Sequence, residues 1–140
     1  GYQPLPDERL LHVGARDLDP SEAQLLDSGT IPRVDGRTLA ELGAEALEGP
    51  LDALARRVEA VYLHLDLDVH DAEAVRFNPF AAPGGPAPEQ VRACLEAVTA
   101  RLPVAAAALT AYAPELDHDG RVAEVALAHL ETVIAGVARR

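Results

Sequence analysis

The sequence predicts an α/β fold, a three-layer α-β-α arrangement built on a mostly parallel sheet. Three observations carry this expectation. Residues 61–70, VYLHLDLDVH, alternate strictly: Val61, Leu63, Leu65, Leu67 and Val69 are apolar, while Tyr62, His64, Asp66, Asp68 and His70 stand between them. That is the two-residue period of a strand. Two further short apolar runs, 10–15 (LLHVGA) and 104–112 (VAAAALTAY), read as strands of the same kind. Segments of helical period separate and follow these runs. The order strand, helix, strand, helix, strand, helix belongs to a parallel sheet covered by helices.

Each element has its own local signal. Residues 1–9 carry Pro4 and Pro6 and read as a loop, after which 10–15 form the first strand and end at Arg16-Asp17. Asp19-Pro20-Ser21-Glu22 is a helix start, with Asp19 as N-cap, Pro20 at the first helical position and Glu22 closing a capping box. This helix stops near Ser28-Gly29. Residues 31–34 are a short strand candidate weakened by Pro32. From Thr38 a helical pattern runs through Leu39, Leu42, Ala46 and Leu47; Gly49-Pro50 should interrupt it before Leu51, Leu54, Ala55 and Val58 resume it.

After the strand at 61–70, residues 71–88 form a loop rich in Pro and Gly (NPFAAPGGPAP). Loops of that length inside a compact domain usually serve function. An amphipathic helix over 89–101 is stopped by Pro103. The strand at 104–112, small and expected to be buried on both faces, leads to a turn at Asp119-Gly120. A last helix then buries Val122, Val125, Ala126, Leu130, Val133, Ile134 and Val137.

Composition narrows the function classes. The chain has 140 residues, 49% hydrophobic, with 23 acidic and 12 basic residues and a net charge of −11. Such an acidic balance argues against nucleic acid or an anionic membrane as a partner. No run of about 18 apolar residues predicts a membrane span. All 12 basic residues are arginine, and there is neither lysine nor methionine; the chain is therefore read as part of a longer polypeptide. Cys94 is the only cysteine, so an internal disulfide is impossible, which fits a reducing cytoplasm. It lies on the stripe Val91, Cys94, Leu95, Val98, Leu102 and reads as a small core residue rather than a nucleophile.

The chemistry concentrates at Asp66 and Asp68. Two carboxylates leaving one face of a largely buried strand need neutralisation, because an isolated buried charge is costly. A divalent cation supplies it, and ligands in open parallel sheets gather beyond the carboxyl ends of the strands. Asp66 and Asp68 are accordingly the candidate metal ligands, suited to a hard or borderline cation. His64 and His70 share their strand face and are further local candidates, each read first as a structural or supporting histidine. His12, His118 and His129 form no ligand spacing, and His129 is read as surface or core. Asp71 opens the long loop and can hold it, or a metal-bound histidine, by hydrogen bonds. No catalytic residue is assigned.

These segments together resemble the carboxyl-terminal half of the ureohydrolases, the arginase, agmatinase and formimidoylglutamase family. LHVGARDLDPSE (11–22) is similar to their strand–G-x-R-D–helix segment. LHLDLDVHDAEA (63–74) resembles their S-x-D-x-D-x-x-D-P signature, APGGPAPEQV (82–91) the Gly-rich loop and helix start that follow it, and TAYAPELD (110–117) their E-x-N-P-x-x-D strand end. The resemblance spans nearly the whole chain and implies that residues 1–140 are the C-terminal part of one arginase-like domain. It implies a binuclear manganese (Mn2+) site, with Asp66 and Asp68 as two of its ligands, in a hydrolase that attacks the carbon of a guanidinium or amidine. It further implies a small-molecule substrate, a homo-oligomer and a cytoplasmic protein. The family's remaining ligands lie on earlier strands that this chain does not contain. Ala111 stands at the family's substrate-anchoring glutamate, Ala72 at its proline and His64 at its serine.

Two other readings compete. A degenerate ureohydrolase-like domain could act as a packing or oligomerisation module. The strand-end Asp66-Leu67-Asp68-Val69 also fits the D-x-D motif of phosphate-transfer hydrolases, with Thr110 as a second motif, but those enzymes anchor phosphate with a basic residue, normally lysine, that this chain lacks.

Overall fold

The computed structural model describes residues 3–139. Four strands and five α-helices alternate along it: β1 (His12–Ala15), α1 (Pro20–Asp27), β2 (Arg33–Asp35), α2 (Gly36–Leu42), α3 (Glu48–Ala55), β3 (Val61–Asp66), α4 (Pro88–Arg101), β4 (Val104–Thr110) and α5 (Arg121–Ala138). The strands pair in parallel, β1 with β2 and β3 with β4. This is the α/β class that the alternating pattern predicts. Within it, the weak candidate at 31–34 is a real strand shifted to Arg33–Asp35, because Pro32 lies just outside the ladder and lends only its carbonyl, to the His12 N–H at 2.9 Å.

Local chemistry sets the helix boundaries. At α1 the Asp19 N–H donates to the Glu22 carboxylate at 3.0 Å. Asp35 caps α2, accepting the Thr38 N–H and the Thr38 hydroxyl, both at 2.9 Å. The break after α2 falls at Gly43, where φ is +56°, and a 3-10 stretch (Gly43–Leu47) leads into α3. Gly49-Pro50, expected to be the interruption, instead lies in the first turn of α3, where the missing proline N–H would have had no acceptor. Asp117 accepts the N–H groups of Val122 and Ala123 at 3.0 and 2.9 Å and so closes the start of α5.

The core lies on one side of the β3–β4 pair. Leu63, Leu65 and Val104 pack with Val91 and Leu95 of α4 and Val133 of α5. Leu39, Leu47, Leu51 and Leu54 join Val34, Cys94 and Leu102 beneath β1 and β2. The opposite face of β3 is open: Tyr62, His64 and Asp66 are exposed, as are Ala105, Ala106 and Ala107 of β4. The expectation that 104–112 is buried on both faces is therefore corrected: among the described residues no layer covers Ala105, Ala106 and Ala107. No helix among the described residues is long and apolar enough to cross a membrane.

Candidate metal centre

Parallel pairing brings the carboxyl ends of β3 and β4 together, with Asp66 opposite Thr110. There the predicted strand at 61–70 ends early. Residues Leu67–Val69 form a 3-10 turn started by Asp66, whose carboxylate accepts the Asp68 N–H at 3.2 Å. Asp66 and Asp68 thus stay together, Asp66 exposed and Asp68 half-buried. Burial, together with the hydrogen bond and charge of Asp66, raises the Asp68 carboxyl above the usual carboxylate range; Asn78 and Arg16 pull it the other way. Two crowded oxygen donors of this kind match a hard divalent cation, which relieves the repulsion that raises the pKa.

The 3-10 turn separates the two histidines that a continuous strand would have kept on one face. His64 stays beside Asp66, its Nε2 2.9 Å from the Thr110 hydroxyl. His70 swings into the core, fully buried, where its Nδ1 meets the Leu67 carbonyl at 2.7 Å and its Nε2 meets His129 Nε2 at 2.8 Å. The strand-face grouping of His70 with the aspartates is corrected accordingly. His129 is core, not surface. No group of three or more His, Cys, Asp or Glu among the described residues is arranged to hold a metal, and Asp66 and Asp68 stand as a pair of carboxylates.

Asp71 holds the long loop. Its carboxylate accepts the N–H groups of Glu73 and Gly84, at 3.1 and 3.2 Å, and its own N–H donates to the Pro86 carbonyl. Phe77, fully buried beside His70, anchors the middle of the loop. Asn78 donates from Nδ2 to the Ala111 carbonyl at 3.2 Å and accepts the Phe80 N–H, tying the loop to the end of β4. Ala111 itself has φ +66° and carries only a methyl group. Cys94 is buried in the core and its thiol is pushed up to about 11 by desolvation, which leaves it inert at neutral pH.

Sequence reasoning passed over Arg16 and Asn78. Arg16, which the sequence places at a strand end within a G-x-R-D-like segment but gives no role, reaches with its guanidinium the backbone carbonyls of Asp68, Val69, His70 and Ala82 at 2.6–2.9 Å. An arginine directly after a buried strand is a signal for such a role, but its partners are more than 50 residues away and invisible in the local pattern.

The fold is shared with solved ureohydrolases. The chain superposes on arginase from Bacillus caldovelox with a TM-score of 0.86 at 24% identity, covering 95% of this chain and 45% of that one. Formimidoylglutamase from Bacillus subtilis gives 0.83 at 16% identity, covering 94% and 42%. Proclavaminate amidino hydrolase from Streptomyces clavuligerus gives 0.80 at 22%, covering 96% and 45%. The chain therefore spans somewhat under half the length of these structures. No curated protein sequence matches it. The arginase family model, in contrast, matches residues 2–136, and the chain belongs to the arginase family.

Proposed function

We propose that residues 1–140 are the C-terminal part of one arginase-like α/β domain, belonging to a metal-dependent hydrolase of C–N bonds in linear amidines. The substrate is a small guanidino or formimino compound, and the assembly a cytoplasmic homo-oligomer. Asp66 and Asp68 hold manganese. The observation that carries this reading is the Asp66–Asp68 pair at the carboxyl end of a parallel strand in a chain of this family. When bound, manganese supplies Lewis acidity and a lowered pKa for the attacking water. The residues of this chain supply the rest: Asp66 orders the Asp68 backbone by accepting its N–H, and Asp71 and Asn78 keep the neighbouring loop in place.

The test is thermal unfolding of the full-length protein to which this chain belongs, with and without manganese, repeated on Asp66→Asn/Asp68→Asn. Binding to the folded state raises the midpoint. The shift should vanish in the double variant; a shift that survives unchanged removes these aspartates as ligands.

One observation favours a second reading. Ala111 offers no carboxylate at the substrate position, as expected of a non-catalytic member of the family acting as a structural or oligomerisation module. A manganese-loaded full-length protein with no activity on any guanidino or formimino compound would favour it.

A further inference from the structure

The turn that carries Asp68 is held from three sides by groups that never touch its carboxylate. From β1, the bulge at Gly14 (φ +83°) brings the chain so close that a Cβ there would lie 2.5 Å from Val69 Cγ2. From the long loop, Gly85 presses on the same backbone, where a Cβ would overlap the Val69 carbonyl oxygen and approach the His70 carbonyl carbon to 2.8 Å. Between them lies the Arg16 guanidinium. Its Nη1 donates to the Val69 carbonyl at 2.9 Å, and the two hydrogens of its Nη2 are shared among the carbonyls of Asp68, His70 and Ala82 at 2.6, 2.6 and 2.8 Å. Its buried Nε has no hydrogen-bond partner among the described residues.

We infer that Arg16 is a positioning residue for the Asp66–Asp68 metal pair, fixing the Asp68 backbone so that both carboxylates stay aimed at one cation; this rests on the ligand assignment above. The Asp68 peptide is gripped at both ends: its N–H donates to Asp66 and its carbonyl accepts from Arg16. With both flanking peptide planes set, the Cα–Cβ direction of Asp68 is set too. Among the described residues Arg16 makes no ion pair with either aspartate, so its charge orients backbone without occupying the carboxylate oxygens. Lysine cannot replace it in full, because one ammonium nitrogen cannot stand at both the Nη1 and the Nη2 position that the planar guanidinium holds at once.

Manganese titration of the full-length protein to which this chain belongs, read by the EPR signal of free Mn2+, tests this on wild type, Arg16→Lys, Arg16→Met, Gly85→Ala and Asp66→Asn/Asp68→Asn, with circular dichroism to monitor folding. Removing support of this kind typically weakens metal affinity by about 10- to 100-fold. Both Arg16 variants should show that loss while folded, and Asp66→Asn/Asp68→Asn should abolish binding. Folded Arg16 variants with wild-type affinity, alongside loss in the double aspartate variant, overturn the Arg16 role alone. Undiminished binding in the double aspartate variant overturns the ligand assignment, and a wild-type full-length protein that binds no manganese overturns both. Should the Arg16 variants fail to fold, Gly85→Ala decides: it leaves Arg16 intact but displaces the same carbonyls. The same loss there supports the role, and wild-type affinity overturns it.

Discussion

The imidazole rings of His70 and His129 stack in the core with centroids 5.0 Å apart and Nε2 atoms 2.8 Å apart. The surrounding atoms fix both tautomers. The Leu67 carbonyl can only accept, so His70 Nδ1 carries a proton and His70 Nε2 is bare. His129 Nε2 must then donate, which leaves His129 Nδ1 a buried acceptor without a hydrogen-bond partner among the described residues.

This pair makes stability depend on pH. Burial lowers the His129 pKa to about 4, helped by the charges of His70 and Arg92; burial also lowers that of His70, with Arg16 adding to it. Unfolded histidine titrates near 6.5, so between the two values the unfolded chain takes up protons that the folded chain refuses. Stability from this source is complete above about pH 6.5 and is lost as pH falls through about 4, by roughly 3 kcal/mol for His129. Urea unfolding at a series of pH values checks this. His129→Gln keeps a donor for His70 without titrating and should flatten the acid limb; an unchanged limb would rule the pair out as its cause.

The fold class and the closeness of Asp66 and Asp68 were legible because both rest on local signals: two-residue alternation, helical periodicity and a D-x-D spacing. The strand end was not. Asp68 and His70 continue the alternation perfectly, yet the Asp66 carboxylate captures the Asp68 N–H and turns the chain, a competition between side chain and ladder that periodicity does not register. Arg16, Asn78 and the His70–His129 contact were missed for a different reason: each joins residues more than 30 positions apart. The interruption expected at Gly49-Pro50 failed because proline signals a helix start as readily as a stop.

Gln90 is a second tie between distant elements. Its Oε1 accepts the Ala87 N–H at 2.8 Å at the start of α4, and its Nε2 donates to the Ala40 carbonyl of α2 at 2.7 Å. Gln90→Ala removes both bonds and should cost roughly 1–3 kcal/mol. In denaturant the midpoint should fall with the slope unchanged. A wild-type midpoint would mean that water replaces both bonds without loss.

Asp68 should oppose folding when no cation is bound. Its pKa is raised in the folded state by burial first and by Asp66 second, so at neutral pH its charge destabilises the fold and acid relieves it as pH falls through the folded value. Asp68→Asn removes that charge. In chelator the variant should unfold at a higher temperature than wild type, and in excess manganese the order should reverse. A variant less stable than wild type in chelator would show that the pair is not under electrostatic strain.

Substrate choice should turn on Ala111. This residue follows β4, three positions before Pro114, with its carbonyl held by Asn78 Nδ2 at 3.2 Å. The methyl group there can form no charge-assisted hydrogen bond with a guanidinium, and a bond of that kind contributes about 1.5–3 kcal/mol. With manganese present, the full-length protein to which this chain belongs should therefore release urea from arginine roughly ten- to a hundredfold more slowly than an enzyme bearing the carboxylate, while residues 1–140 alone, with only part of the metal shell, should be inactive. Ala111→Glu should recover part of that difference. The backbone already holds a non-glycine residue at φ +66°, so the longer side chain adds no new backbone strain. Urea release measured for both chains over a range of arginine concentrations decides the matter. Rapid arginine hydrolysis by the wild-type chain would mean that another group anchors the guanidinium. A folded, manganese-binding Ala111→Glu chain with no gain would mean that the end of β4 does not face the substrate.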